Sequence, residues 1–387
     1  MVIMKEDTAM KRRDFLSRGI AAAGAAAFGS GKGRRQAVDP GLLSEIARER
    51  ASHPLYFDGM SYFNFAGDDF RRAGLSGVLC DVSAGVMAGQ KYVRQMSLSL
   101  KSLVEAAKAV RGSAHGLFVA TKGSQIPEAK ASGRTAVFFE FQSAESISDD
   151  VDMLDVAYEL GLRVLQFTHH HSNAYSGGGL EKTWTGLTPL GFKALEKMNA
   201  LGVIPDISHG NEIMALDTAK ASRKPVIISH TACRALVNNA RCVPDSVIKA
   251  VADTGGVVGI FSMSFWLTTN PVASVDDYIR QLEHVINVGG VEAVGISNDY
   301  DLLGEPNALK LANNNDEAVK AYFPWWKQQA GILGFDELPK HCVIPELNNI
   351  RRLFTIQAAL EKKGRPAAEV EKIMGGNWVR VYTESLG

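Results

Sequence analysis

The sequence predicts an α/β protein in which eight parallel strands, alternating with helices, close into a (β/α)8 barrel. Eight short apolar runs recur along the 387 residues, each followed by a helical or loop segment. The runs are almost continuously apolar, which is typical of parallel strands buried on both faces. Eight such strand and helix units are the number that closes a barrel. A doubly wound open sheet is the alternative.

Each predicted strand ends in a polar or ionisable side chain, at the position where barrel enzymes carry their chemistry. The strands are predicted at residues 55–58, 77–81, 135–140, 163–169, 202–209, 224–230, 256–262 and 293–299. The residues that end them are Asp58, Asp81, Glu140, His169, His209, His230, Ser262 and Asp299. For Asp58 and Asp81 the alternative is that they cap the helix that follows.

Residues 202–230 give the strongest indication of a metal site, because they are predicted to form a strand, a helix and a second strand. Strands joined in this way lie parallel, so His209 and His230 would end side by side, about 4.8 Å apart if the strands are neighbours. Two imidazoles so placed can bind one zinc ion. The alternative is that both cap strands in the core. Glu140 favours the metal, because an unpaired carboxylate among apolar neighbours would be unfavourable.

The segment after the fourth strand holds three consecutive histidines, His169 to His171, and three glycines at residues 177–179. We predict a mobile active-site loop here. A histidine triplet in an exposed loop is usually solvated, so only His169, which ends a strand, is a candidate site residue.

The sequence pattern changes after Asp299. Residues 303–334 are polar and are predicted to form a long loop with a helix over the barrel mouth. Residues 350–362 and 367–374 are predicted helices, followed by a closing segment around Trp378. No linker divides the chain, so residues 36–387 are predicted to form one barrel domain with a C-terminal helical extension.

Residues 1–35 differ in kind from the rest of the chain. Arg12 and Arg13 precede an uncharged run rich in alanine and glycine at residues 20–28. This pattern predicts a signal peptide of the twin-arginine type, and therefore a periplasmic or otherwise exported protein. The run is too short and too weakly apolar for a membrane span. An amphipathic leader is the competing interpretation.

Charge and cysteine content exclude other classes. The formal net charge is zero and no basic stripe interleaves with aromatic residues, so nucleic acid is not an expected partner. Four cysteines, Cys80, Cys233, Cys242 and Cys342, are too few for a disulfide scaffold. Cys233 and Cys242 could pair, or one could touch the metal site near His230. At least two of the four are expected to be buried free thiols.

Several motifs together resemble the membrane (renal) dipeptidase family, peptidase family M19, from about Leu55 to the end of the chain. They are Gly-Leu-Arg at 161–163, Gly-Leu-Thr-Pro-Leu-Gly at 186–191, Asp-Ile-Ser-His at 206–209, Pro-Val-Ile-Ile-Ser-His-Thr at 225–231, Asn-Asp-Tyr-Asp at 298–301 and Gly-Gly-Asn-Trp-Val-Arg at 375–380.

The resemblance implies a barrel of the metal-dependent hydrolase type with two zinc ions. By this likeness Glu140 would bridge the metals, His209 and His230 would hold the second metal, and Asp299 would belong to the first metal and transfer protons. His169 would contact the substrate and the developing oxyanion, and Arg241 would bind the substrate carboxylate. Family members are commonly dimers, which makes a homodimer a further expectation.

The chain departs from the family pattern after the first strand, where a His-x-Asp pair is replaced by Met60 and Tyr62. A thioether and a neutral phenol are poor zinc ligands in such sites. Asp58, Asn64, Asp68 or Asp69 could substitute only if the loop is re-routed, so one zinc ion is expected. The sequence thus predicts a zinc-dependent dipeptidase or related small-amide hydrolase that acts on dipeptide-like substrates. The alternative is a barrel with altered or lost peptidase activity that binds or matures a small peptide-derived metabolite.

Overall fold

The computed structural model describes residues 40–62, 69–88, 91–270, 272–299, 302–304 and 344–387. Three sequence-based predictions lie outside these residues: the signal peptide, most of the segment predicted to cover the barrel mouth, and the state of Cys342. None of the helices within the described ranges is both long and apolar enough to cross a membrane.

Eight parallel strands form a nearly closed barrel, which confirms the predicted fold class. In chain order the strands are β1 (Phe57–Tyr62), β2 (Gly77–Asp81), β3 (Gly85–Ala88), β4 (Lys91–Arg94), β5 (Leu117–Val119), β6 (Thr135–Phe141), β7 (Leu162–Gln166), β8 (Ile204–Asp206), β9 (Ile227–Thr231), β10 (Val257–Ile260) and β11 (Val294–Ile296). The barrel order is β1, β2, β6, β7, β8, β9, β10, β11. Each predicted run overlaps one of these eight strands.

Helices separate most of the strands and cover the barrel. They are α1 (Pro40–Ala51), α2 (Asp69–Arg72), α3 (Met96–Gly112), α4 (Gln125–Ala131), α5 (Met153–Glu159), α6 (Pro189–Leu201), α7 (Glu212–Ala221), α8 (Asp245–Asp253), α9 (Val275–Gly289), α10 (Arg352–Lys362), α11 (Ala367–Glu371) and α12 (Asn377–Leu386). The predicted helix after His209 is α7, and the predicted C-terminal extension is α10 to α12.

Three strands were not expected from the sequence. β5 is a short strand that pairs in parallel with the first half of β6. β3 and β4 form an antiparallel hairpin in the segment after β2, at the carboxyl-terminal face of the barrel. Their sequences lack the long apolar runs by which the barrel strands were recognised, because a short hairpin at the rim buries less side-chain surface.

β1 extends to Tyr62, so the prediction that the first strand ends at Asp58 is wrong. Asp58 lies inside the strand and does not cap a helix. Its carboxylate accepts hydrogen bonds from the backbone N–H groups of Met60 (3.2 Å) and Asn298 (2.9 Å) and from the Asn298 side-chain amide (2.6 Å). The backbone N–H of Asp299 also donates to the Met60 carbonyl at 2.9 Å. These contacts join the first and last strands of the barrel.

The C-terminal helix α12 closes the barrel interior through Trp378. This side chain is fully buried, and its Nε1–H donates to the carbonyl of Ile296 at 3.1 Å. Its ring lies over Gly59, Gly259 and Gly295, where an added Cβ would come within 2.5 to 3.0 Å of ring atoms. Glycine in these three strands therefore makes room for the indole, so the C-terminal segment is part of the barrel core.

The described cysteines are free thiols. Cys80, Cys233 and Cys242 are buried and none forms a disulfide. The predicted buried free thiols are thereby confirmed, and the possible pairing of Cys233 with Cys242 is absent from the structure.

Removing the Asp58 carboxylate should weaken the closure of the barrel. Burial raises its pKa to about 6, and the hydrogen bonds from Asn298 and Met60 partly oppose that shift. Asp58→Ala leaves three buried donors unpaired, so we expect the free energy of unfolding at pH 7 to fall by about 2–4 kcal/mol in urea titrations. Asp58→Asn keeps one oxygen for the backbone donors and should lose less. Equal losses in the two variants would show that these hydrogen bonds do not stabilise the closure.

Candidate active site

Six predicted site residues meet at the carboxyl-terminal mouth of the barrel. Parallel strands bring their carboxyl ends to one edge, so residues distant in sequence become neighbours. Glu140 lies near the end of β6, His169 follows β7, His209 follows β8, His230 lies in β9, Arg241 lies in the loop after β9, and Asp299 follows β11.

His209 and His230 face each other through their Nε2 atoms, which lie 2.7 Å apart. The hydrogen bond made by the other ring nitrogen of His230, Nδ1, determines its tautomer. Ser229 Oγ donates to the Asp206 carboxylate and therefore accepts from Nδ1–H of His230, at 2.7 Å. Nε2 of His230 is then an unprotonated acceptor. This orientation through a neighbouring hydrogen bond is typical of metal-binding histidines.

Nε2 of His209 is also an acceptor, because a guanidinium NH2 group of Arg241 donates to it at 3.1 Å. Its Nδ1–H then points to Nδ1 of His170, at 3.2 Å. Burial lowers the pKa of both His209 and His230 well below the ordinary value, and the positive charge of Arg241 lowers each further. Two neutral imidazoles thus direct lone pairs toward the same point.

His170 belongs to the site, so its assignment to a solvated loop is wrong. The ring of His170 packs edge-on against those of His169 (4.2 Å between centroids) and His209 (4.5 Å). Nitrogen atoms of His169, His170 and His209 lie within 4.8 Å of one another, which makes the three a possible metal-binding triad. Sequence carried no signal that distinguished His170 from His171.

The backbone is constrained at this cluster. Only four non-glycine residues in the described ranges have positive φ, and three of them, His170 (67°), His209 (63°) and Asp299 (50°), lie in the site. Positive φ is unfavourable for residues with a Cβ and persists where surrounding contacts hold it. The fold therefore holds these side chains at the cost of local strain.

The glycines at 177–179 are buried against the histidine segment rather than forming a free flap. Gly179 donates its backbone N–H to the His209 carbonyl at 2.8 Å, and Leu180 donates to the His170 carbonyl at 3.1 Å. A Cβ on Gly178 would lie 2.3 Å from the His170 carbonyl oxygen. These residues are glycines because their backbone packs directly on that of the site.

Glu140 is fully buried, and neither carboxylate oxygen has a hydrogen-bond donor among the described residues. Burial raises its pKa well above the ordinary value, and the carboxylates of Asp206, Asp81 and Asp299 raise it further. A buried anion that lacks both a donor and a counter-ion is strongly unfavourable. The position calls for a cation.

Asp299 and Arg241 complete the arrangement. Burial raises the pKa of Asp299 to about 7, although Arg241 opposes the shift. A carboxyl group with a pKa near neutrality can both accept and donate a proton at physiological pH. Arg241 is buried, and its Nε and NH1 atoms have no hydrogen-bond partner among the described residues. It therefore retains donors for an anionic ligand.

Met60 and Tyr62 stand where the family resemblance leads us to expect a metal-binding His-x-Asp pair. Met60 is fully buried, and its sulfur accepts a hydrogen bond from Nε2 of Gln142 at 3.4 Å. Tyr62 ends β1 and is half-buried. Asn64 and Asp68, two of the possible substitutes, lie outside the described residues.

The chain is similar in sequence to known dipeptidases. A family model described as membrane dipeptidase (peptidase family M19) matches residues 69–316. Dipeptidase tcpJ of Claviceps purpurea is 26% identical over 270 residues, which are 69% of this chain and 55% of that protein. The chain thus spans about half the length of this relative.

Two solved structures share the fold. An amidohydrolase from Pseudomonas aeruginosa has a TM-score of 0.74 and 24% identity, over 88% of this chain and 99% of that chain. A metallopeptidase from Rhodobacter sphaeroides, liganded with a phosphinate mimic of the dipeptide L-Ala-D-Ala, has a TM-score of 0.69 and 18% identity, over 86% of this chain and 99% of that chain.

Burial of His170 predicts a specific dependence of stability on pH. Burial, Arg241 and Arg94 hold its pKa well below the ordinary value, whereas the unfolded chain binds this proton below about pH 6.5. Protonation therefore favours unfolding, and stability is lost as pH falls below that value. The free energy of unfolding of His170→Gln should therefore fall less steeply with falling pH than that of the parent, by up to about 1.4 kcal/mol per pH unit. Urea titrations of chelator-treated protein between pH 7 and 5 measure the difference, and parallel curves would contradict it.

Proposed function

The chain belongs to the membrane dipeptidase family, peptidase family M19, and we propose that it hydrolyses dipeptides or related small amides with one bound zinc ion. The observation that carries this proposal is the pair of unprotonated Nε2 atoms of His209 and His230, at the same barrel mouth at which the carboxylate of Glu140 is buried without a hydrogen-bond donor among the described residues. The dipeptide mimic bound by the Rhodobacter sphaeroides metallopeptidase supports the substrate class.

The donor set fits zinc. Two neutral imidazole nitrogens and a carboxylate are common zinc ligands and leave room for water or substrate. Two lone pairs 2.7 Å apart repel each other, and a divalent cation bound by both nitrogens would remove that repulsion. By the family resemblance we assign Glu140, His209 and His230 as its ligands, with Asp299 at the edge of the same site; the ligand atoms that the described structure brings within 4.8 Å of one another are those of His169, His170 and His209.

The position of a second metal does not fit equally well. Its two characteristic ligands are absent, and the sulfur of Met60, which replaces the histidine, already accepts a hydrogen bond from Gln142. A soft, neutral thioether is a poor ligand for zinc beside carboxylates. We therefore propose a single ion.

The proposed roles of the other residues follow from their protonation states. When bound, the ion would act as a Lewis acid on the scissile carbonyl and the attacking water. Asp299 would accept the proton of that water and return it to the leaving amine, since its pKa is raised to about 7. His169, kept neutral mainly by burial and by Arg94, would donate an N–H to the developing oxyanion. Arg241 would bind the carboxylate of the substrate.

The replaced ligands also support a second candidate function. A barrel that has lost one metal position could bind or mature a peptide-derived metabolite without ordinary dipeptidase activity. The Met60 to Gln142 contact favours this alternative, because it gives the replaced position a structural role. Asp299 and Arg241, which are retained at the mouth, favour hydrolysis.

Metal binding can be assigned by comparing two neighbouring histidines. His230→Ala removes one of three proposed ligands and should weaken zinc binding more than about a hundredfold, since loss of supporting groups alone commonly weakens it tenfold to a hundredfold. His170→Gln should retain the metal. Zinc content by elemental analysis and hydrolysis of alanyl dipeptides by the parent are the measurements.

The reverse result, with zinc lost from His170→Gln and kept by His230→Ala, would place the ion in the triad of His169, His170 and His209. A zinc-loaded parent that hydrolyses no dipeptide would favour the binding or maturation function.

We further propose that the protein is exported through the twin-arginine route, on the evidence of Arg12, Arg13 and the short apolar run that follows. Replacing both arginines with lysine should leave the precursor in the cytoplasm, because this route requires the arginine pair. Cell fractionation with immunodetection measures the outcome. Undiminished export of the lysine variant would contradict the proposal.

A further inference from the structure

Arg94 is a second buried arginine at the barrel mouth, to which the proposed mechanism assigns no contact with the substrate. It ends β4, the second strand of the hairpin that follows β2. Its side chain is held in place by a hydrogen bond from Nε to Ser83 Oγ at 3.2 Å and by the ring of Tyr92, 5.1 Å from the guanidinium carbon. The residue is 5% exposed, so its charge is largely removed from solvent.

The guanidinium of Arg94 retains hydrogen-bonding capacity. Its NH1 atom is buried and has no partner among the described residues. Glu145 accepts from the backbone N–H of Arg94, at 3.4 Å, and not from its side chain. The carboxylate of Asp81 accepts from the backbone N–H groups of Ser83 and Gln142, and the charges of Asp81, Glu145 and Glu140 partly offset that of Arg94. The NH1 donor still has no partner among the described residues, and a buried unpaired donor is unfavourable unless a ligand accepts from it.

Arg94 and Arg241 lie on opposite sides of the site. β2 is second and β9 is sixth in the order of eight barrel strands, so the segments that follow them face each other across the mouth. The positive charges of both arginines lower the pKa of His169 and of His170, so both act on the histidines of the site. The mouth therefore presents two cationic ends on either side of the reacting groups.

We propose that Arg94 forms a second anion-binding subsite that selects dipeptides whose amino-terminal residue carries a carboxylate. This inference rests on the proposed function, in which Arg241 binds the carboxyl end of the substrate. With the peptide bond at the histidines, the amino-terminal residue extends toward Arg94. A guanidinium there pairs with the carboxylate of an acidic amino-terminal side chain, an interaction that a neutral side chain lacks.

The test compares isosteric substrates that differ only in charge. The zinc-loaded parent should hydrolyse Glu-Ala with a kcat/KM at least about tenfold above that for Gln-Ala, the range expected of a hydrogen-bonded charge pair. Ala-Glu and Ala-Gln place the same change at the other residue and should show a smaller preference. Arg94→Gln should abolish the Glu-Ala preference, and Arg94→Lys should keep part of it.

The decisive quantity is the ratio of kcat/KM for Glu-Ala to kcat/KM for Gln-Ala, because loss of folding or of metal lowers both values together. Arg50→Gln is the matched control, since Arg50 is a buried arginine beside Thr135 at the start of β6, far from the mouth. It should leave the ratio unchanged. A parent without the preference, or an Arg94→Gln variant that keeps it, would overturn the subsite while leaving the dipeptidase function standing.

If the zinc-loaded parent hydrolyses no dipeptide, the proposed function fails and the subsite is judged by binding. Calorimetric titration should then still show tighter binding of Glu-Ala than of Gln-Ala to the parent, and equal binding to Arg94→Gln. Equal affinities in the parent would overturn the Arg94 proposal as well.

Discussion

The burial of five carboxylates in one barrel is the constraint on which the structure of the site depends. Asp58, Asp81, Glu140, Asp206 and Asp299 are all at most 7% exposed. Ionised carboxylates in such surroundings need donors or cations. Asp58 accepts hydrogen bonds that close the barrel, Asp206 accepts from Ser208 and Ser229, and Asp299 lies near Arg241. Glu140 has no such donor among the described residues, and this difference is the reason for proposing it as a metal ligand.

The satisfied carboxylates also orient the groups that do the chemistry. Asp206 holds the Ser229 hydroxyl, which in turn sets the tautomer of His230. Asp58 holds Asn298, the residue before Asp299, and thus anchors a backbone that is strained at the candidate proton donor. Stability and site geometry therefore depend on the same hydrogen bonds, which explains how strained loops can be maintained at the mouth of an otherwise regular barrel.

Membership of the M19 family and the departures within this chain have different consequences. The barrel, with the roles proposed for its histidine, glutamate and arginine side chains, accounts for the proposed hydrolysis. Met60 contacts Gln142, and Arg94, with its unpaired NH1, places a positive charge on the β2 side of the mouth. Specificity in such barrels is set by these loops, because they line the mouth while the strands maintain the frame.

The sequence by itself determined that the strands are parallel and covered on both faces, since near-continuous apolar runs alternating with helices are typical of such strands. It predicted the closed barrel from the eight repeats, and the tertiary structure decided between that barrel and a doubly wound open sheet. It also placed Glu140, His209 and His230 at strand ends, because strand order brings such ends together. Only the tertiary structure revealed His170, Arg94 and the role of Asp58. Their contacts depend on side-chain direction across non-adjacent segments, on a short hairpin without an apolar signature and on one strand continuing past its apolar run. Local sequence patterns do not encode these long-range contacts, because each is decided by which segments the closed barrel brings within hydrogen-bond distance.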